Sequence, residues 1–160
     1  MATTSAGILP YRIAADGTVS ALVAHMGGPF WARKDAGAWS IVKGEYDADA
    51  EAALDAARRE FREELGLEPP AGDYAELGTF AYSSGKRVTV FVVDAAGFEV
   101  EGAVFGEFEM EWPPRSGRTA SFPEVDRVEW VDLARARELL VTGQRPALDR
   151  LESLVGDPPA

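Results

Sequence analysis

The chain has 160 residues, 46% of them hydrophobic, and carries a formal net charge of −11. That length and apolar content suit a single domain over residues 1–160 with a substantial core. The charge argues against a protein whose main affinity is for a nucleic-acid polymer or an anionic membrane, since both need a basic face, but a small phosphorylated ligand held by metal ions and a few Lys or Arg remains compatible with it.

The sequence contains no cysteine, so it has no disulfide framework, no thiolate zinc site and no cysteine nucleophile. The opening "MATTSAGILPYRI" lacks a basic region followed by a long apolar run and does not read as a signal peptide. The longest apolar run, Val88 to Val93, is far shorter than the ~20 residues that span a bilayer. The expected setting is the cytoplasm. The expected partners are small molecules, with the chain a monomer or a homodimer.

In chain order, "AGILPYRI" and "VSALVAHM" read as two strands joined by a tight turn at Asp16-Gly17. Pro10 predicts that the first of them is an edge strand or carries a bulge. His25, the only histidine, ends the second strand with no His or carboxylate at ligand spacing and reads as structural. "GGPFWARKDAGAWSIVKGEYDAD" is mostly loop, with a short strand at "WSIV". From Ala50 to Leu65 the pattern turns helical, because Leu54, Ala57, Phe61 and Leu65 form one apolar stripe. Gly66 falls where a C-cap glycine belongs, and "EPPAG" forbids continuation.

A second hairpin follows around Gly85, then a looser region containing "FEMEWPPRSGRTASFPEVD". "RVEWVDL" is the final strand, and "ARARELL" and "PALDRLESLV" are closing helices. Repeats, low-complexity tracts and linkers are absent from the sequence. Strand-heavy order with a few helices predicts an α/β or α+β domain built on a mixed sheet.

Within the first helix, Glu60, Glu63 and Glu64 crowd one face beside the apolar stripe. Like charges three and four residues apart repel by about 0.2–0.5 kcal/mol per pair. Solvation usually absorbs that cost, and Arg59 stands four residues from Glu63 to offset part of it. Three features favour a bound cation instead. A glycine-containing loop, "KGEYDAD", precedes the acidic face, Glu51 adds a carboxylate at the helix start, and the helix stops just beyond the cluster. Carboxylates in this density suit Mg²⁺ or Mn²⁺ rather than zinc, and substrate phosphates commonly complete the shell of Mg²⁺. The pattern points to chemistry on a phosphorylated substrate.

Gly44, Glu51 and "REFREELGL" from Arg59 to Leu67 resemble the Nudix box, G-x5-E-x7-R-E-U-x-E-E-x-G-U with U a bulky apolar residue. The register holds from Glu51 onward. Six residues separate Gly44 from Glu51 in place of five, and Asp49-Ala50 stands where the box usually has Pro-Gly. The segments around "WSIVKGEYD" and "FPEVDRVEW" are similar to a bacterial Nudix subfamily of predicted nucleotide pyrophosphohydrolases. Lys43-Gly44 is similar to a pair found in dinucleoside polyphosphate hydrolases.

The resemblance implies an α/β/α sandwich with a mixed central sheet. It implies divalent-metal-dependent hydrolysis of a diphosphate linkage in a nucleoside polyphosphate or nucleoside diphosphate derivative, by water attack at phosphorus. Carried over, Glu60, Glu63, Glu64 and the Gly44 carbonyl would hold the metal, and Arg59 would pair with Glu51 to brace the loop. The general base would be a helix glutamate such as Glu60 or Glu63, or a later acid, Glu111 or Glu124. Lys43, Arg115 and Arg118 are the expected phosphate contacts, favouring a polyphosphate chain over ADP-ribose. Trp31, Trp39, Trp112 and Trp130 offer flat surface for core or for a base. The alternative is a Nudix-fold nucleotide-binding or regulatory module without turnover.

Overall fold

The computed structural model describes residues 4–155. In chain order its strands are β1 (Thr4–Ile13), β2 (Val19–Met26), β3 (Trp39–Ser40), β4 (Val42–Glu45), β5 (Ala75–Ala81), β6 (Arg87–Asp94), β7 (Glu107–Glu111), β8 (Thr119–Pro123) and β9 (Val125–Asp132). Helix α1 (Ala53–Leu65) lies between β4 and β5, while α2 (Leu133–Leu139), a 3-10 turn (Thr142–Gln144) and α3 (Arg145–Val155) close the chain.

Seven strands make one mixed sheet. β1 runs parallel to β6 and antiparallel to β2, and β5 and β9 are added antiparallel at the outer sides of β6 and β2. The strands β1 and β2 stay together only where Tyr11–Ile13 face Val19–Ala21. Beyond that point they part, and the segment from Trp39 to Glu45 fills the fork. Its first half pairs with β2 and its second half with β1.

The fork corrects the reading of Pro10. β1 is an interior strand, and Pro10 falls between the stretch held by β4 (Ser5–Ile8) and the stretch held by β2 (Tyr11–Ile13). On that side no ladder partner asks for the missing N–H, so proline costs little there.

Alternation along the strands divides the core into two layers. Ala6, Ile8, Leu22, Ala24, Phe91 and Val93 face α1, meeting its Ala56, Ala57, Phe61 and Leu65. Leu9, Val23, Val88, Val90 and Val92 face the other way, onto Leu133, Ala136 and Leu139 of α2 and onto Leu148 and Leu151 of α3. The result is an α/β/α sandwich.

Helix α1 begins at Ala53, three residues later than the apolar pattern predicts. Asp47 holds the preceding residues in a turn, its carbonyl accepting the amides of Ala50 and Glu51 and its Oδ1 accepting that of Asp49. At the other end Gly66 takes the left-handed conformation (φ 63°, ψ 21°) and donates its N–H to the Arg62 carbonyl, a termination that side chains with a Cβ disfavour.

The region that looks loose in the sequence is a second, two-stranded sheet, β7 with β8. Phe30, in the loop after β2, stacks edge to face on its Trp112 (5.8 Å between centroids), and within the hairpin Trp112 stacks edge to face on Phe122 (6.4 Å). Trp39 is core, 2% exposed, and Trp130 lies beneath the Arg12 guanidinium at 4.3 Å. His25 is buried, with Nδ1 2.7 Å from Asp126 of β9 and Nε2 2.7 Å from the Lys34 carbonyl. Its role is structural, and its carboxylate partner comes from a strand that sequence spacing could not reveal.

Candidate active site

Helix α1 carries the carboxylates on the turn next to its buried stripe, so they emerge at the edge of the sheet beside β4. Glu60 is the deepest, 8% exposed. Gly44 of β4 passes directly against it, and a Cβ at Gly44 would overlap the Glu60 carboxylate. Close approach, rather than an unusual backbone conformation, requires glycine at this position.

Arg59 ties the loop to the helix. Its Nε and Nη2 donate to the two Glu51 oxygens at 2.9 Å each, and Nη1 donates to Glu60 at 2.9 Å and to Glu63 at 3.1 Å. The Glu51 carboxylate, with Glu60 and Glu63 behind it, raises the guanidinium above its ordinary pKa. In return the Arg59 hydrogen bonds lower the Glu51 carboxyl. Burial raises Glu60, and Arg59 opposes that shift.

Glu64 has no such arginine. Burial, then the negative charges of Glu124 and Glu60, push its carboxyl up to about 8, with Lys43 pulling the other way. Glu124 reaches this place through the backbone. The end of α1 accepts the Gly106 amide at the Glu64 carbonyl (3.2 Å), the Gly106 carbonyl accepts the Glu124 amide (2.8 Å), and the Glu124 carbonyl accepts the Gly27 amide (3.0 Å). Glu64, Glu124 and Lys43 line one cleft of about 230 Å³, together with Trp31 and Phe108. Burial and the nearby Lys86 lower the Lys43 ammonium, while Glu45, Glu64 and Glu60 oppose the shift.

A helix of glutamates, braced by one arginine against a preceding glycine loop, is the arrangement of a known family, and the NUDIX domain matches residues 5–151. The chain belongs to the Nudix family. It is a pyrophosphohydrolase. Among solved structures, the C. elegans Ap4A hydrolase in a binary complex superposes with a TM-score of 0.65 at 17% identity, covering 95% of this chain and 98% of that one. The Nudix hydrolase RenU of M. smegmatis gives 0.60 at 21% identity, covering 98% and 88%. The NUDIX domain of Shewanella oneidensis NrtR, complexed with ADP ribose, gives 0.61 at 12% identity, covering 96% and 88%. At these identities the likeness is one of fold. No curated protein matches the sequence.

The Nudix helix and loop bring together Gly44, Glu51, Arg59, Glu60 and Glu63, and the cleft adds Lys43, Glu64 and Glu124. Glu111 stands apart at the end of β7, where its Oε1 accepts the Arg115 amide at 2.9 Å. Arg115 and Arg118 lie exposed on the same hairpin tip and do not line the cleft. Among the described residues, no three His, Cys, Asp or Glu side chains are already gathered as an ion would gather them. Arg59 instead holds Glu60 and Glu63 by hydrogen bonds. The donor set nevertheless fits a hard cation, being all oxygen, and the repulsion that raises Glu64 is what a cation would relieve.

Sequence reasoning missed Gln144. It is fully buried, its Oε1 accepting the Ile41 amide at 2.8 Å and its Nε2 donating to Ser40 Oγ (2.9 Å) and Tyr82 Oη (2.6 Å). Ile41 sits between β3 and β4, where the chain changes partner strand, so Gln144 takes a hydrogen bond that no strand supplies. A lone glutamine a hundred residues away leaves no signal in the sequence.

Proposed function

We propose that this Nudix enzyme hydrolyses a diphosphate linkage in a nucleotide bearing a polyphosphate chain, with Mg²⁺, or Mn²⁺ in its place. The observation that carries the reading is the meeting of Glu64, Glu124 and Lys43 around one cleft, with the charge of Glu60 close by and the Glu64 carboxyl raised to about 8. Glu60, Glu63, Glu64 and the Gly44 carbonyl would hold the cation. When bound, it supplies neutralisation of the diphosphate and a water of lowered pKa.

The remaining work falls to the chain's own residues. Arg59 fixes the loop bearing Glu51 against the helix, and Gly44 keeps β4 close to Glu60. Lys43 holds a non-bridging phosphate oxygen. Glu124 accepts the proton from the attacking water as its oxygen bonds to phosphorus and the bridging oxygen departs with the leaving phosphate. Glu111 is engaged at the hairpin tip, which leaves the role of base to Glu124, and Arg115 and Arg118 lie off the cleft and take no part.

No helix among the described residues is long and apolar enough to cross a membrane. The reading takes the enzyme as cytoplasmic, a monomer or homodimer with a small-molecule substrate. The test is a panel of diadenosine tetraphosphate, ATP and ADP-ribose with Mg²⁺ or Mn²⁺, the products resolved by chromatography. Cation-dependent turnover with preference for the polyphosphates is expected. Turnover indifferent to chelation would overturn the mechanism, and a preference for ADP-ribose would overturn the substrate assignment.

A further inference from the structure

The catalytic cleft does not end at Lys43. Met26, Trp31, Ser40 and Lys43 also line a second cleft of about 710 Å³, whose far wall is formed by the β5–β6 turn and the 3-10 turn. The two lobes differ in charge. Glu64 and Glu124 line the first, whereas no carboxylate lines the second. Its charged groups are Lys43 and Lys86, and Ser83, Ser84 and Thr142 add hydroxyls. In a chain of net charge −11, this is a local reversal of sign next to the catalytic acids.

The lobe is also built firmly. Gln144 joins Ser40, on the wall shared by both lobes, to Tyr82 in the second. Gly143 leaves room for the Tyr82 ring, which a Cβ there would strike. Gly7 leaves room for the Lys43 stem, whose Cβ lies 2.7 Å from where a Gly7 Cβ would stand. Lys43 and Lys86 line the same lobe, so an anion held there meets two ammonium groups.

We propose that the second lobe binds the part of the phosphate chain that continues past the scissile linkage, with Lys86 as its contact and Gln144 as the positioning residue for the wall. The inference rests on the reading of the first lobe as the hydrolytic site. It makes the enzyme sensitive to the length of the anionic chain, because a bare diphosphate leaves Lys86 unpartnered.

Two measurements test it with the full chain. In steady-state kinetics, Lys86→Ala lowers the ratio of kcat/KM for diadenosine tetraphosphate to that for ADP-ribose about tenfold, the size expected for one charge-assisted hydrogen bond. Lys86→Arg restores most of the ratio. In calorimetry with inorganic tripolyphosphate and chelator, Lys86→Ala binds about tenfold more weakly than wild type, a readout that does not need turnover. Unchanged ratio or unchanged tripolyphosphate affinity overturns the inference. Absence of hydrolysis with any cation would instead strike the hydrolytic reading, and the tripolyphosphate measurement would still decide the lobe.

Discussion

The two ends of the acidic cluster show the same residue type in opposite conditions. At the loop end, Glu51, Glu60 and Glu63 share one guanidinium through four hydrogen bonds. At the cleft end, Glu64 and Glu124 repel each other with Lys43 to offset them, and the Glu64 carboxyl rises to about 8. Glu63 and Glu64 are adjacent in the chain, yet one lies on Arg59 and the other on the cleft. The helix sets them about 100° apart, and that rotation separates a bracing group from a strained one.

The sharpest way to break the contrast is to neutralise each side in turn. Glu64→Gln is expected to reduce turnover by orders of magnitude at saturating Mg²⁺, with the circular dichroism spectrum unchanged. Glu63→Gln is expected to do the same, which requires Glu63 to leave Arg59 in the working enzyme. Near wild-type turnover in either variant removes that residue from the cation's ligands.

Glu124→Gln should lower kcat by about 10²-fold with a smaller change in KM, as loss of a general base does. A loss confined to KM would make Glu124 a binding group.

Arg59→Gln strikes the other end. It leaves Glu60 buried without its donor, at an expected cost of about 1–3 kcal/mol in urea unfolding, toward the lower figure because Arg59 is partly exposed. A change within error would show that the ion pairs there are solvated surface contacts.

The strained end predicts a pH dependence for the chelated protein. A carboxyl whose folded pKa is raised binds its proton more tightly in the fold than in the unfolded chain. Stability is therefore fully present below the unfolded value of 4.5 and declines as pH rises toward about 8. The melting temperature in chelator should fall over that window, and Glu64→Gln should flatten the fall. A melting temperature that rises across the window would show that Glu64 is not destabilised in the fold. The smallest effect is expected at Glu111, where Glu111→Gln weakens a turn contact with the Arg115 amide. Kinetics should show less loss of kcat than for Glu124→Gln, and an equal loss would reverse the choice between them.

Much of the architecture is legible where structure is local. The turns at Gly17 and Gly85, the stop at Gly66 and the final strand followed by two helices all come from neighbours in the chain. Apolar spacing misplaces the start of α1 because it continues into the Asp47 turn, which captures the amides of Ala50 and Glu51 before the helix can. Pro10 misleads for a different reason, since its tolerance depends on a gap between two partner strands.

Composition and spacing suffice for a mixed α and β fold and for a helix with a carboxylate face behind a glycine loop, because backbone conformation and side-chain periodicity are set within a few residues. Which acids share a charge environment is settled only by the way the sheet is assembled. Glu124 meets Glu64 only through the backbone relay at Gly106, and Gln144 meets Ile41 only at the fork between β1 and β2. Hydrogen bonds and the desolvation that shifts a carboxyl depend on distance in space, which the topology of the sheet sets and sequence separation does not.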